Sequence, residues 1–126
     1  MNAPFNTCLL IDDSQLDNFI NSKIIQRVNF ADEIIISEFP EDALNLLLNG
    51  TVHPDVIFLD IRMPIMDGFQ FLTEYDKMDI DKEHTKIFML SSSIDPYDIN
   101  RAESNKYITK YLTKSLTPNI LMQLAS

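Results

Sequence analysis

Five polar residues stand where short apolar runs end. Asp12 and Asp13 follow Thr7-Cys8-Leu9-Leu10-Ile11, Asp60 follows Val56-Ile57-Phe58-Leu59, Ser91 follows Ile87-Phe88-Met89-Leu90, and Lys114 lies just past Tyr107-Ile108-Thr109-Lys110-Tyr111-Leu112. Brought together, three carboxylates repel one another, and at least one would bind its proton more tightly than usual. A divalent cation relieves that repulsion. An all-oxygen donor set with room for water suits Mg²⁺ or Mn²⁺, and Mg²⁺ commonly bridges one or two carboxylates to a phosphate. With the charge neutralised, a carboxylate can attack phosphorus and become an aspartyl phosphate. Such a displacement needs positioning and neutralisation of the equatorial oxygens. Lys114, the metal, the Ser91 hydroxyl and backbone N–H groups beyond Asp60 are the candidates for that task.

Each residue has a plainer reading when taken singly. Asp12-Asp13 can cap a helix, Asp60 can end a strand in a turn, and Asp67 reads as a helix cap in any case. Ser92 and Ser93 read as ordinary turn hydroxyls, Tyr111 as a half-buried strand aromatic and Cys8 as an inert core thiol. A lone lysine in a loop is usually solvated. His53 and His84 have no Cys or His neighbours at ligand spacing and receive no role. The weight lies in the constellation, because each polar group falls at the same end of a different strand.

The elements that must do this positioning are legible. A short unbroken apolar run such as Val56–Leu59 fits a strand buried on both faces of a parallel sheet. An ionised Asp60 then belongs at the exposed carboxyl end, the edge where open parallel sheets bind ligands. Pro64 blocks further ladder pairing, and Asp67-Gly68 turns the chain into a helix running to about Met78. Before it, Asp13 or Ser14 caps a first helix with Leu16, Phe19, Ile20, Ile24 and Val28 at helical spacing. Glu33–Ser37 reads as a strand. Pro40 opens a second helix with Ala43, Leu44, Leu47 and Leu48 on one face, and Gly50 stops it. Asp79 to Thr85 is a charged connection. Asp95-Pro96 opens a fourth helix to about Asn105, anchored thinly by Ile99 and Ala102 and expected to be the least firmly packed. Thr117-Pro118 starts a last helix with Ile120, Leu121 and Leu124 inward. Five strands alternating with five helices imply parallel βαβ units with right-handed crossovers and helices on both faces.

The chain has 126 residues, which fits one domain with an ordinary core, and 45% of them are hydrophobic. Ten basic against 19 acidic residues give a formal net charge of −9, which disfavours nucleic acid and anionic membrane as direct partners. The lone Cys8 cannot form an internal disulfide, so a reducing cytoplasm is the natural compartment. Met1-Asn2-Ala3-Pro4 lacks the features of a secretory leader, and no run approaches the ~20 apolar residues of a membrane span.

With these motifs assembled, the sequence resembles the receiver domains of two-component response regulators. The resemblance rests on Leu10-Ile11-Asp12-Asp13, on Phe58-Leu59-Asp60-Ile61-Arg62-Met63-Pro64-Ile65-Met66-Asp67-Gly68, on Met89-Leu90-Ser91-Ser92 and on Tyr111-Leu112-Thr113-Lys114. It covers nearly the whole chain, so residues 1–126 are expected to form a single receiver domain. It implies a flavodoxin-like (βα)5 fold of class α/β, a doubly wound parallel five-stranded sheet of order 2-1-3-4-5. It also implies Asp60 as phosphoacceptor, Asp12, Asp13 and Asp60 with the Arg62 backbone carbonyl as the Mg²⁺ (or Mn²⁺) site, and Lys114 as the phosphate-pairing lysine. Ser91 and Tyr111 match the switch hydroxyl and switch aromatic, which move together when the face of helix 4, strand 5 and helix 5 changes.

The implied function is a phosphoacceptor switch fed by a histidine kinase or histidine phosphotransfer protein and read by a downstream protein target. It would be no dedicated enzyme, but would take phosphoryl groups from donors with Mg²⁺ and lose them to water. A phosphorylation-independent binding module of the same fold is the alternative. An Asp-x-Asp phosphohydrolase is set aside, because Arg62 stands where the second Asp belongs. There is one departure from the family pattern: Ser115 replaces the proline that usually follows the lysine. The resemblance implies a cis bond at that proline, but a cis bond before serine costs ~2.5–4 kcal/mol. The sequence therefore predicts a trans Lys114–Ser115 bond, with the turn rearranged so that Lys114 still points to Asp60.

Overall fold

The run Val56–Leu59 forms the middle strand of a five-stranded parallel sheet. In the computed structural model, which describes residues 2–126, the elements follow strictly alternating order. They are β1 (Phe5–Ile11), α1 (Gln15–Arg27), β2 (Ala31–Ser37), α2 (Pro40–Leu48), β3 (Val56–Leu59), α3 (Gly68–Asp76), β4 (Lys86–Ser91), α4 (Pro96–Glu103), β5 (Ile108–Thr113) and α5 (Pro118–Ala125). The strand order is β2-β1-β3-β4-β5.

Side chains alternate across the sheet and build two cores. Leu9, Ile11, Ile57, Leu59, Ile87 and Met89 pack with Ala43, Leu47, Phe71, Leu72, Tyr75 and Ala102, beneath α2, α3 and α4. Cys8, Leu10, Val56, Phe58, Phe88 and Leu90 pack with Ile25, Leu121 and Leu124, beneath α1 and α5. All four β3 residues are buried because both faces are covered, which is why β3 reads as an unbroken apolar run.

Two helix faces differ from the sequence reading. On α1, Leu16 and Phe19 are exposed, at 68% and 58%, and the residues turned inward are Asn18, Asn21, Ser22 and Ile25. The first turns of α1 lie over the polar end of the sheet, where side-chain amides have backbone partners to satisfy. Asn18 Nδ2 donates to the Asp12 carbonyl at 2.8 Å, and Asn21 Oδ1 accepts the Leu116 N–H at 3.0 Å. On α2, Leu48 is exposed, while Ala43 and Leu47 are buried.

Candidate functional site

Strand register brings the polar strand ends together. Ile11 pairs with Leu59, so Asp12 and Asp60 leave the sheet side by side. Leu59 pairs with Met89, and Ser91 pairs with Thr113, so Ser91 and Lys114 follow along the same edge. Backbone bonds pin each exit: the Asp60 N–H donates to the Ile11 carbonyl at 3.0 Å, Asp12 N–H to Ser37 at 3.2 Å and Lys114 N–H to Ser91 at 3.0 Å.

One carboxylate oxygen from each of Asp12, Asp13 and Asp60 lies within 4.8 Å of the others. Asp12 and Asp60 are buried and Asp13 is exposed. This all-oxygen set, open to water on the Asp13 side, fits a hard divalent cation of the Mg²⁺ class. Burial, reinforced by the negative charge of Asp12, pushes the Asp60 carboxyl up to about 7. Lys114 and the Ile61 N–H, which donates to Asp60 Oδ1 at 2.9 Å, work against that rise.

The Lys114 ammonium has three carboxylate neighbours. Its Nζ lies 2.6 Å from Asp12 Oδ2, 2.8 Å from Asp17 Oδ2 and 3.5 Å from Asp60 Oδ2. Burial opposes its charge, but the hydrogen bonds to Asp12 and Asp17 outweigh that and hold it above the usual lysine range. Asp17 was not anticipated. In the sequence it reads as a first-turn acidic residue of α1, where the helix dipole alone would favour it, and its own N–H donates to the Ser14 cap at 3.2 Å.

The bond after Lys114 corrects the trans expectation: Lys114–Ser115 is cis. The turn is fixed from both sides, by the Lys114 N–H on Ser91 and by the Leu116 N–H on buried Asn21. Those two contacts are tertiary, and the local sequence does not announce them.

Ser91 is buried and its Oγ accepts the Ser93 N–H at 3.2 Å. Tyr111 is buried rather than half-buried, and its hydroxyl donates to the Ser93 carbonyl at 2.6 Å. Ser93 is more than a turn hydroxyl, because its Oγ donates to Asp98 Oδ2 at 2.7 Å. The same Asp98 oxygen accepts from Arg62 Nη2 at 2.7 Å. Asp98 and Ala102 are the buried residues of α4, with Ile99 partly covered. Asp98 escaped the sequence reading because a carboxylate at an inward helical position looks like surface.

The loop from Asp60 to α3 is held close to the strand. An ideal Cβ on Gly68 would stand 2.3 Å from the Asp60 carbonyl oxygen, so only glycine fits there. The Gly68 N–H donates to the Ile61 carbonyl at 2.8 Å. Asp67 caps α3 in a reciprocal box with Gln70, as its sequence position implies. His53 and His84 lie at the other edge of the sheet, beside a cleft lined also by Leu47, Tyr75 and Ile80. Among the described residues no helix is long and apolar enough to cross a membrane.

Comparison with known proteins agrees with this fold. A family model for the response regulator receiver domain matches residues 8–126. A sensor histidine kinase CheAY of Helicobacter pylori is 32% identical over 112 residues, covering 86% of this chain but 14% of that protein. Two-component response regulator 24 of Arabidopsis thaliana is 25% identical over 118 residues, covering 94% of this chain and 83% of the relative. The crystal structure of a two-component response regulator from Cytophaga hutchinsonii superposes with a TM-score of 0.85 at 32% identity, covering 95% of this chain and 93% of that one. On this match and the strand-end constellation that accompanies it, the chain belongs to the response regulator receiver domain family.

Proposed function

We propose that the chain is a phosphoacceptor switch of a two-component phosphorelay, with residues 1–126 acting as one receiver unit and Asp60 as the acceptor. The observation that carries this reading is the convergence of Asp12, Asp13 and Asp60 oxygens within 4.8 Å, with Lys114 Nζ 3.5 Å from Asp60. An Asp60 oxygen attacks the donor phosphorus, the bond from phosphorus to its donor breaks, and an acyl phosphate forms. Water later attacks the same phosphorus, the bond to Asp60 breaks, and carboxylate and inorganic phosphate result.

Asp12, Asp13, Asp60 and the Arg62 backbone carbonyl would hold Mg²⁺ or Mn²⁺. When bound, the metal supplies charge neutralisation at the phosphoryl oxygens. Lys114 orients and neutralises a second oxygen, and the Ser91 hydroxyl donates to a third. Tyr111 follows Ser91 through Ser93. The change reaches the face of α4, β5 and α5, where Ile94, Tyr97 and Met122 are exposed apolar groups suited to a downstream protein. The phosphoryl source is a histidine kinase or histidine phosphotransfer protein. A reducing cytoplasm suits Cys8, a fully buried thiol whose pKa burial raises.

The test is incubation with Mg²⁺ and acetyl phosphate, followed by intact mass. The expected result is one acid-stable, base-labile phosphoryl adduct that Asp60→Asn abolishes. An adduct of undiminished yield on Asp60→Asn removes Asp60 as acceptor, and no adduct on the wild type favours a binding module that signals without phosphorylation.

A further inference from the structure

Asp98 is an expensive residue for its place. Its side chain is 3% exposed, on a helix with one other buried residue, Ala102. A carboxylate there costs stability unless it is paired, and an apolar residue of similar size would serve packing at least as well. Its two partners come from different loops: Arg62, two residues beyond Asp60, and Ser93, two residues beyond Ser91. Ser93 in turn gives its N–H to Ser91 Oγ and takes the Tyr111 hydroxyl on its carbonyl. Asp98 thus joins the acceptor loop to both groups of the expected switch.

Resting on the phosphoacceptor reading, we infer that Asp98 is a positioning residue that braces the Ser91–Ser93 turn and holds the Arg62 guanidinium on α4 rather than on a phosphoryl group at Asp60. The brace takes up an acceptor position of Ser91 Oγ with the Ser93 N–H, leaving its O–H to donate. The tether is reversible at its Arg62 end, because that side chain is 67% exposed and water can solvate its guanidinium while Ser93 keeps its bond to Asp98. A phosphoryl group on Asp60 adds negative charge two residues from Arg62 and competes with Asp98 for it. While Asp98 wins, the phosphoryl oxygens stay open to water. When Asp98 is replaced by asparagine, Arg62 is released to cover them.

Three variants test this: Asp98→Asn, which keeps an oxygen for Ser93, Arg62→Ala, and the double variant. In the first arm, without phosphodonor, amide exchange is followed in residues 92–98. Each single variant should speed it there and leave α1 unchanged, with the double no faster than the faster single. Arg62→Ala alters an exposed side chain and reads the same pair from its other end should Asp98→Asn not fold. In the second arm, the adduct is formed with Mg²⁺ and acetyl phosphate, the donor is removed, and phosphoryl loss is timed. Asp98→Asn should lengthen the lifetime about threefold, and the double variant should match Arg62→Ala. The same lengthening on the Arg62→Ala background shows that Asp98 does not act through Arg62 and overturns the inference, as does unchanged exchange in both single variants. If the wild type forms no adduct, the phosphoacceptor reading fails, and the exchange arm alone decides the brace.

Discussion

Lys114 Nζ stands 2.8 Å from Asp17 Oδ2 but 3.5 Å from Asp60 Oδ2. The ammonium proposed to serve a phosphoryl group on Asp60 is held more closely by a first-turn residue of α1 than by Asp60 itself. Asp17 also adds a fourth carboxylate to an edge that, on the proposed function, admits an anionic donor. Both effects oppose phosphoryl acceptance, so Asp17→Asn should accept phosphoryl groups faster from acetyl phosphate. The expected gain is about two- to fivefold, the worth of one partly exposed ion pair. A slower rate would show instead that Asp17 is needed to hold Lys114 in place.

Asp13 is the exposed member of the acidic cluster, so its removal leaves the buried packing of Asp12 and Asp60 in place. Asp13→Ala should therefore weaken Mg²⁺ binding strongly while changing the melting temperature in chelator by little. Isothermal titration with Mg²⁺ and thermal unfolding in chelator separate the two. Mg²⁺ affinity equal to wild type would remove Asp13 from the cation site. Likewise, phosphorylation rates that match in Mg²⁺ and in excess chelator would remove the cation requirement.

The strand ends were legible because period and punctuation agree there: apolar runs stop abruptly at Asp12, Asp60 and Ser91, and parallel pairing forces those stops onto one edge. The face of α1 was not. Leu16 and Phe19 carry the helical spacing, yet Asn18 and Asn21 face inward, where the Asp12 carbonyl and the Leu116 N–H need partners that an apolar side chain could not supply. Asp17 and Asp98 were missed for a related reason. Each is a carboxylate on a helix, and its partner, Lys114 or Arg62, is distant in sequence. Ser115 illustrates the same limit, because contacts to Ser91 and Asn21 define its turn and neither is local.

The raised Asp60 carboxyl makes a prediction about stability. Its pKa in the folded domain, about 7, exceeds the value of ~3.9 for a free aspartate. The folded state therefore binds the Asp60 proton more tightly than the unfolded chain does. That contribution is fully present below the unfolded value and is lost as pH rises through the folded one. In chelator, Asp60→Asn should gain stability relative to wild type as pH rises from about 4 to about 7, and the difference should level off above that. Urea unfolding of both proteins across this range measures it. A difference that is flat with pH, or that shrinks as pH rises, would show that Lys114 keeps Asp60 ionised throughout.

Gly68 sets the closeness of the Asp60 loop to α3. A Cβ at this position would lie 2.3 Å from the Asp60 carbonyl oxygen and 3.2 Å from both the Asp60 carbonyl carbon and Ile61 Cα. All three are backbone atoms of the Asp60–Ile61 segment, so relief requires α3 or that segment to move. Moving α3 breaks the bond from the Gly68 N–H to the Ile61 carbonyl and draws the Asp67 cap with it. Moving the segment displaces Asp60 from Asp12 and Lys114. Gly68→Ala should therefore lose about 1–3 kcal/mol of stability, the usual cost of overpacking, despite the better helix propensity of alanine. It should also take up phosphoryl groups at a clearly lower rate than wild type. Denaturant unfolding and adduct yield are read on the same preparation. Wild-type stability with wild-type yield would mean that the loop yields freely, and that the tight packing at Gly68 does not position Asp60.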